Sequence, residues 1–161
     1  MPASPPPPPS PPPAASLPPP LRAVLETSLY VDDLVVAERF YCQLLGLELY
    51  SRQEGRHVFL RCGSQMVLLF DARSTQDSTT SFPPHGAEGA GHVAFSINQR
   101  DLAGWRKRLS EAQVPIEQEI EWSEGVTSLY FRDPAGNSLE LASPRLWRLP
   151  ETPSTRESAT E

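Results

Sequence analysis

Three side chains in this 161-residue sequence have the types and positions to hold a metal ion: Glu26, His92 and Glu140. Glu140 raises the question first. It lies between Leu139 and Leu141 in a run that alternates as a strand, so the leucines point one way and the carboxylate the other. A carboxylate in that position is costly if it is buried without a cation. Glu26 and His92 each open a strand of their own, on the face turned away from the apolar residues. One imidazole and two carboxylates converging on one site suit a divalent cation and leave coordination positions for substrate and water. Each residue also has a plainer reading. Glu26 could be an exposed strand-start acid and His92 a satisfied core histidine, but a mid-strand glutamate between leucines is harder to explain away. Tyr130 and Arg132 share the open-face parity of Glu140. They either orient an anionic or carbonyl-bearing substrate or wall the cavity.

The elements that position these residues follow from periodicity. Val24 to Val31 reads as a strand, with Glu26, Ser28 and Tyr30 opposite Leu25, Thr27, Leu29 and Val31. Asp32-Asp33 offers an N-cap to a helix whose apolar residues recur at Val36, Phe40 and Leu44 and at Ala37, Tyr41 and Leu45, and which stops at Gly46. Strands follow at 47–51, 57–61 and 66–70, with turns at Glu54-Gly55 and Gly63-Ser64. After a Ser/Thr/Pro/Gly-rich linker the order restarts. A strand over 91–97 sets His92, Ala94 and Ser96 opposite Val93, Phe95 and Ile97. Asn98 and Asp101 form a partial capping box for a helix with the stripe Leu102, Trp105, Leu109 and Ala112. Strands over 115–122 and 128–132 lead through the turn Asp133-Pro-Ala-Gly-Asn137 to the strand that carries Glu140.

The sequence therefore predicts an α+β fold in which a β-α-β-β-β module is written twice. Module one covers 22–71, a linker 72–90 and module two 91–148. Glu26 corresponds to His92, and Leu68 to Glu140. Flanking segments at 1–21 and 149–161 are expected to be disordered, the first because 12 of the 19 prolines lie in residues 1–20.

Composition narrows the function. A net charge of −6 argues against a nucleic-acid surface, and the basic run Arg106-Lys107-Arg108 reads as a solvated helix face. There is no apolar run long enough for a membrane span and no signal-peptide pattern. Two cysteines, Cys42 and Cys62, make neither a disulfide framework nor a zinc knuckle, which favours a reduced, cytoplasmic setting. Neither has a sequence neighbour that would activate it. His57 is expected at the surface and His85 in a plain loop.

Leu25-Glu-Thr-Ser-Leu-Tyr-Val-Asp-Asp-Leu34, Ala37-Glu-Arg-Phe-Tyr41, Leu44-Leu-Gly-Leu47, Gly91-His-Val-Ala-Phe95 and Phe131-Arg-Asp-Pro-Ala-Gly-Asn-Ser-Leu-Glu140 resemble the motifs of the vicinal oxygen chelate superfamily. That superfamily includes glyoxalase I, bleomycin-resistance proteins, fosfomycin-resistance enzymes and extradiol dioxygenases. The resemblance covers about residues 24–143. It implies a cupped mixed sheet around a divalent metal, with Glu26, His92 and Glu140 as ligands. It departs from the family's usual pattern where the first ligand, often His, is Glu26, and where a frequent carboxylate is Leu68. One His with two carboxylates fits Zn, Ni, Mn or Mg better than the Fe(II) of a dioxygenase, which would want two His and one carboxylate. The implied function is a glyoxalase-like metalloenzyme of the lyase or isomerase type, with Glu140 catalytic, acting on a small oxygen-rich molecule. Alternatives are a bleomycin-resistance-type binding protein without chemistry, a dioxygenase and a thiol transferase. A homodimer that exchanges modules is also implied, so that Glu26 of one chain meets His92 and Glu140 of another.

Overall fold

The alternating strands and amphipathic helices assemble into two four-stranded mixed sheets. The computed structural model describes residues 20–76, 82–122 and 125–151. The proline tract at 1–19 and the segment 152–161 fall outside them, so the expectation for the two ends is addressed only at 20–21 and 149–151.

In module one, β1 (Glu26–Tyr30) pairs in parallel with β4 (Gln65–Phe70). Antiparallel pairing continues through β3 (His57–Cys62) to β2 (Glu48–Gln53). Module two repeats the order with β5 (His92–Ser96), β8 (Ser138–Ala142), β7 (Thr127–Arg132) and β6 (Ile116–Glu121). The α+β architecture and the duplicated module are as the sequence predicts.

The helices differ in detail. Asp33 caps α1 (Leu34–Arg39), its side chain accepting from the Val35 and Val36 amides at 2.9 and 3.0 Å. The winding then widens over Phe40–Leu44, where the Leu45 amide reaches back five residues to the Phe40 carbonyl. This wider turn carries Tyr41 into the interior, fully buried. A single turn, α2 (Ala72–Thr75), opens the segment read as an unstructured linker. The helix α3 (Leu102–Glu111) buries Leu102 and Leu109, as its stripe requires. Asn98 makes no side-chain cap bond. The chain enters α3 through a 3₁₀ turn, Gln99–Asp101, whose leading amide is satisfied instead by Glu151 at 2.8 Å. Glu151 also accepts from the Ser143 hydroxyl at 2.6 Å, so the chain stays docked three residues beyond the expected boundary.

One core joins the modules. Leu29, Tyr41, Leu60 and Leu69 from the first pack with Leu109, Leu129, Phe131 and Leu139 from the second. The helix-side faces of both sheets therefore meet inside one chain, and the other faces turn outward. Polar bonds tie the halves at the same seam. The Tyr41 hydroxyl donates to Asp133 at 2.8 Å, the Asn137 amide donates to the Tyr30 carbonyl at 3.0 Å, and Arg108 donates to the Gln43 and Leu44 carbonyls.

Candidate functional site

Strand register settles how the two modules correspond. On the outward face of module one, Glu26 lies beside Met66, Ser28 beside Leu68 and Tyr30 beside Phe70. In module two, His92 lies beside Ser138, Ala94 beside Glu140 and Ser96 beside Ala142. Glu26 thus occupies the position of His92, and Leu68 that of Glu140, as element order suggests.

The turn before β8 fixes Glu140's strand. Asp133 accepts from the amides of Ala135 and Asn137 at 3.0 and 2.8 Å, and Gly136 at φ +86° takes the left-handed corner. Asn137, 1% exposed, accepts from the Gly91 amide at 2.8 Å. That bond anchors the residue preceding His92. Gly91 itself lies so close to its surroundings that a Cβ there would come within 2.9 Å of Leu29 Cδ2 and 3.2 Å of Asn137 Oδ1.

Between these anchored strands, His92 Nε2 stands 3.5 Å from Glu140 Oε2. His92 Nδ1 is 3.0 Å from the Ser138 carbonyl, a partner that can only accept, so Nδ1 carries the proton. A neutral ring then presents its Nε2 lone pair to a carboxylate oxygen, which is repulsive. The pair calls for a positive charge, either a second ring proton or a cation. Glu140 is 6% exposed, and its Oε1 is buried without a hydrogen-bond partner. A buried carboxylate oxygen left unsatisfied is expensive as a structural device and suited to a ligand that arrives later. The donor chemistry of His92 and Glu140 therefore fits a divalent cation. Tyr130, directly across from Glu140 on β7, stacks near His92 with ring centroids 6.4 Å apart. Burial first, then the Glu140 carboxylate, push its phenol up to about 12. Tyr130 is a hydrogen-bond donor at neutral pH and not a base.

Glu26 and Arg132 are placed differently. Glu26 is exposed on the first sheet, and among the described residues no third His, Cys, Asp or Glu joins a group that could hold an ion. One chain thus brings together two of the three expected ligands. Arg132 shares the face of Tyr130, but its guanidinium is bound to both Glu117 oxygens, at 2.8 and 3.1 Å, and to the Gly136 carbonyl. It ties β7 to β6 at this end of the sheet.

A second feature, missed in the sequence, lies on the outward face of module one. A groove of about 900 Å³ is lined by Glu26, Arg61, Phe59, His57, Phe70 and His85, among others. His57, expected at the surface, is half-buried and stacks on Phe59 at 3.9 Å and 15°. Burial, then Arg56, hold its pKa below the ordinary histidine value. His85, expected in a plain loop, bonds to the Tyr30 hydroxyl at 2.8 Å and packs edge-on against Phe70 at 4.8 Å. Parity could have flagged His57 and Phe59, which share the face of Glu26. The return of the loop to Tyr30 across 55 residues had no local signal. Cys42 and Cys62 are raised by burial and stay protonated thiols at neutral pH.

No helix among the described residues is long and apolar enough to cross a membrane. A family model described as the Glyoxalase/Bleomycin resistance protein/Dioxygenase superfamily matches residues 23–141. Glutathione transferase FosA of Serratia marcescens is 33% identical over 121 residues, covering 75% of this chain and 80% of that protein. Metallothiol transferase FosB of Bacillus licheniformis is 43% identical over 51 residues, 31% of this chain and 33% of that protein. The crystal structure of a lactoylglutathione lyase from Agrobacterium tumefaciens superposes with a TM-score of 0.78 at 41% identity, covering 81% of this chain and 99% of that one.

Proposed function

This chain belongs to the glyoxalase/bleomycin resistance protein/dioxygenase superfamily, and on that premise we propose that it is a metal-dependent, glyoxalase-like enzyme acting on a small oxygen-rich molecule. The observation that carries the reading is the His92–Glu140 pair at 3.5 Å, beside a buried carboxylate oxygen lacking a partner. His92 Nε2 and Glu140 would hold the cation. A divalent cation there would polarise neighbouring substrate oxygens and favour a developing oxyanion.

The third ligand in this reading is Glu26 from a second copy. The helix-side faces of both sheets are consumed in one chain's core, so an outward face is covered only by another molecule. A homodimer that pairs module one of one copy with module two of the other brings Glu26 toward His92 and Glu140. The same pairing lays the module-one groove over the site. Within that cup, Tyr130 donates a hydrogen bond to a substrate oxygen, its proton retained by the raised pKa. The free oxygen of Glu140 takes a proton from a carbon beside a carbonyl and returns it to a neighbouring atom. Arg132, held by Glu117, ties β7, the strand of Tyr130, to β6.

Similarity to a glutathione transferase supports a second reading, in which the same cation activates an electrophile for attack by an external thiol. The chain's own cysteines are protonated, so the thiol would be a co-substrate.

Metal analysis of the full chain, purified without added metal and then saturated, tests the proposal. A stoichiometric Zn, Ni, Mn or Mg ion, lost in His92→Ala and Glu140→Ala, is expected. Turnover of an α-oxoaldehyde–thiol adduct supports the lyase reading, and thiol consumption with an epoxide supports the transferase. Protein that binds no cation and only sequesters an aromatic ligand would overturn both in favour of a binding protein.

A further inference from the structure

The groove on module one has a chemistry of its own. His57 and Phe59 alternate onto the outward face of β3 and stack almost in parallel, presenting a flat ring face. Phe70 stands perpendicular to both, at 5.5 Å from Phe59 and 6.1 Å from His57, and His85 is edge-on to Phe70. A flat surface with perpendicular walls is a slot. It discriminates planar groups from puckered ones, because offset stacking and edge-to-face packing both need a flat π system. A volume near 900 Å³ lies in the range of small-molecule sites. Its charge is also biased. Arg56 and Arg61 line it against the single carboxylate of Glu26. Arg56 is engaged with the Ser74 carbonyl, whereas Arg61 lies over the Tyr50 ring at 5.3 Å and forms no ion pair among the described residues.

We propose that this face is a specificity slot for a planar aromatic group bearing an anionic oxygen, with the ring held by His57, Phe59, Phe70 and His85 and the anion by Arg61. The proposal rests on the functional reading only for the fate of the ligand's other oxygens, since the slot is built by the module-one sheet and the following linker of a single chain. In the assembled dimer it selects an aromatic oxygen-bearing substrate over an aliphatic one of the same charge. The loop carrying His85 forms one wall through its bond to Tyr30.

Calorimetric titration of the full chain with 2-naphthoate, its neutral amide 2-naphthamide and cyclohexanecarboxylate tests this, without and with Zn(II). The expected order is naphthoate tighter than naphthamide, and both tighter than cyclohexanecarboxylate. Phe59→Leu keeps the volume apolar but removes the stacked ring, and is expected to weaken naphthoate about tenfold, the size of one lost aromatic pair. Arg61→Gln should bring naphthoate down to the level of naphthamide. His85→Ala, on an exposed loop, should weaken both aromatic probes without a change in thermal unfolding. Equal binding of naphthoate and cyclohexanecarboxylate, unchanged affinity in Phe59→Leu and His85→Ala, or no binding of any probe overturns the slot. Naphthoate binding to a protein that takes up no Zn(II) keeps the slot and removes the metal reading. Zn(II) uptake without naphthoate selectivity does the reverse.

Discussion

Glu140→Leu is the most informative substitution, because module one already contains its result. At the same register β4 carries Leu68, buried to 7% exposure against 6% for Glu140. If Glu140 is held ready for a ligand, its unsatisfied Oε1 is a standing cost to the metal-free fold. An unpaired buried polar group costs about 1–3 kcal/mol. Replacing it with a leucine that fills the same place removes that cost and adds apolar burial, while Tyr130, which loses its contact with the carboxylate, keeps Ser128 as a partner. The His92 side chain is about half exposed, so water can satisfy it after the change. Metal-free Glu140→Leu is therefore expected to be more stable than the parent by about 1–3 kcal/mol, or roughly 3–5 °C in Tm per kcal/mol for a domain of this size. Urea unfolding of chelator-treated protein at fixed protein concentration measures it. Added cation at a hundredfold excess over its Kd should return about 2.7 kcal/mol to the parent and nothing to the variant. A variant less stable than the parent by about 1 kcal/mol or more would refute the reasoning, since the carboxylate would then be a satisfied structural group. So would a variant that still gains stability from the cation.

Other outcomes follow from the same geometry. Mixing Glu26→Ala with His92→Ala chains under conditions that exchange subunits should restore one intact site per mixed dimer, detected as recovered bound metal. No recovery would place the site within a single chain. Tyr41→Phe removes the buried bond to Asp133 and should cost about 1–2 kcal/mol in equilibrium unfolding, with metal binding retained. For pH, His57 has a folded pKa below its unfolded one, so its contribution is present above about pH 6.5 and lost as pH falls through the folded value. Proton NMR should show its ring titrating below the usual histidine range, and His57→Gln should flatten the acid side of the stability profile. Glu151, lowered by Ser143 and the Gln99 amide, works in the same sense around the carboxylate range, and Glu151→Gln should loosen the start of α3 in amide exchange.

Much of this arrangement was legible because strand parity is a strict rule. The two-residue period put Glu26, His92 and Glu140 on outward faces, and the pairing register confirmed the correspondence of Leu68 with Glu140. What could not be read depended on contacts between distant segments. His85 meets Tyr30 only after the chain doubles back. The repeat Ala37, Tyr41, Leu45 announced a buried face for Tyr41, but its bond to Asp133 spans 92 residues and had no local signal. The pairing of Arg132 with Glu117 was not legible either, because an irregularity between Ile116 and Gln118 shifts the β6–β7 register there. Asn98 had the right type for a cap, yet its side chain makes no cap bond, and Glu151 satisfies the Gln99 amide beside it.

The missing side chain at Gly91 has a further consequence. The residue beside His92 leaves just enough room for Leu29 and Asn137 behind it, so the spacing of the outward site is gauged from the inward side of the sheet. Such an arrangement has a small tolerance. A larger side chain at Leu29 would press on the backbone beside His92 without any proposed ligand being altered. In the proposed centre, packing behind His92 would therefore tune affinity, and two proteins with the same ligands on this scaffold would differ in the cation they prefer.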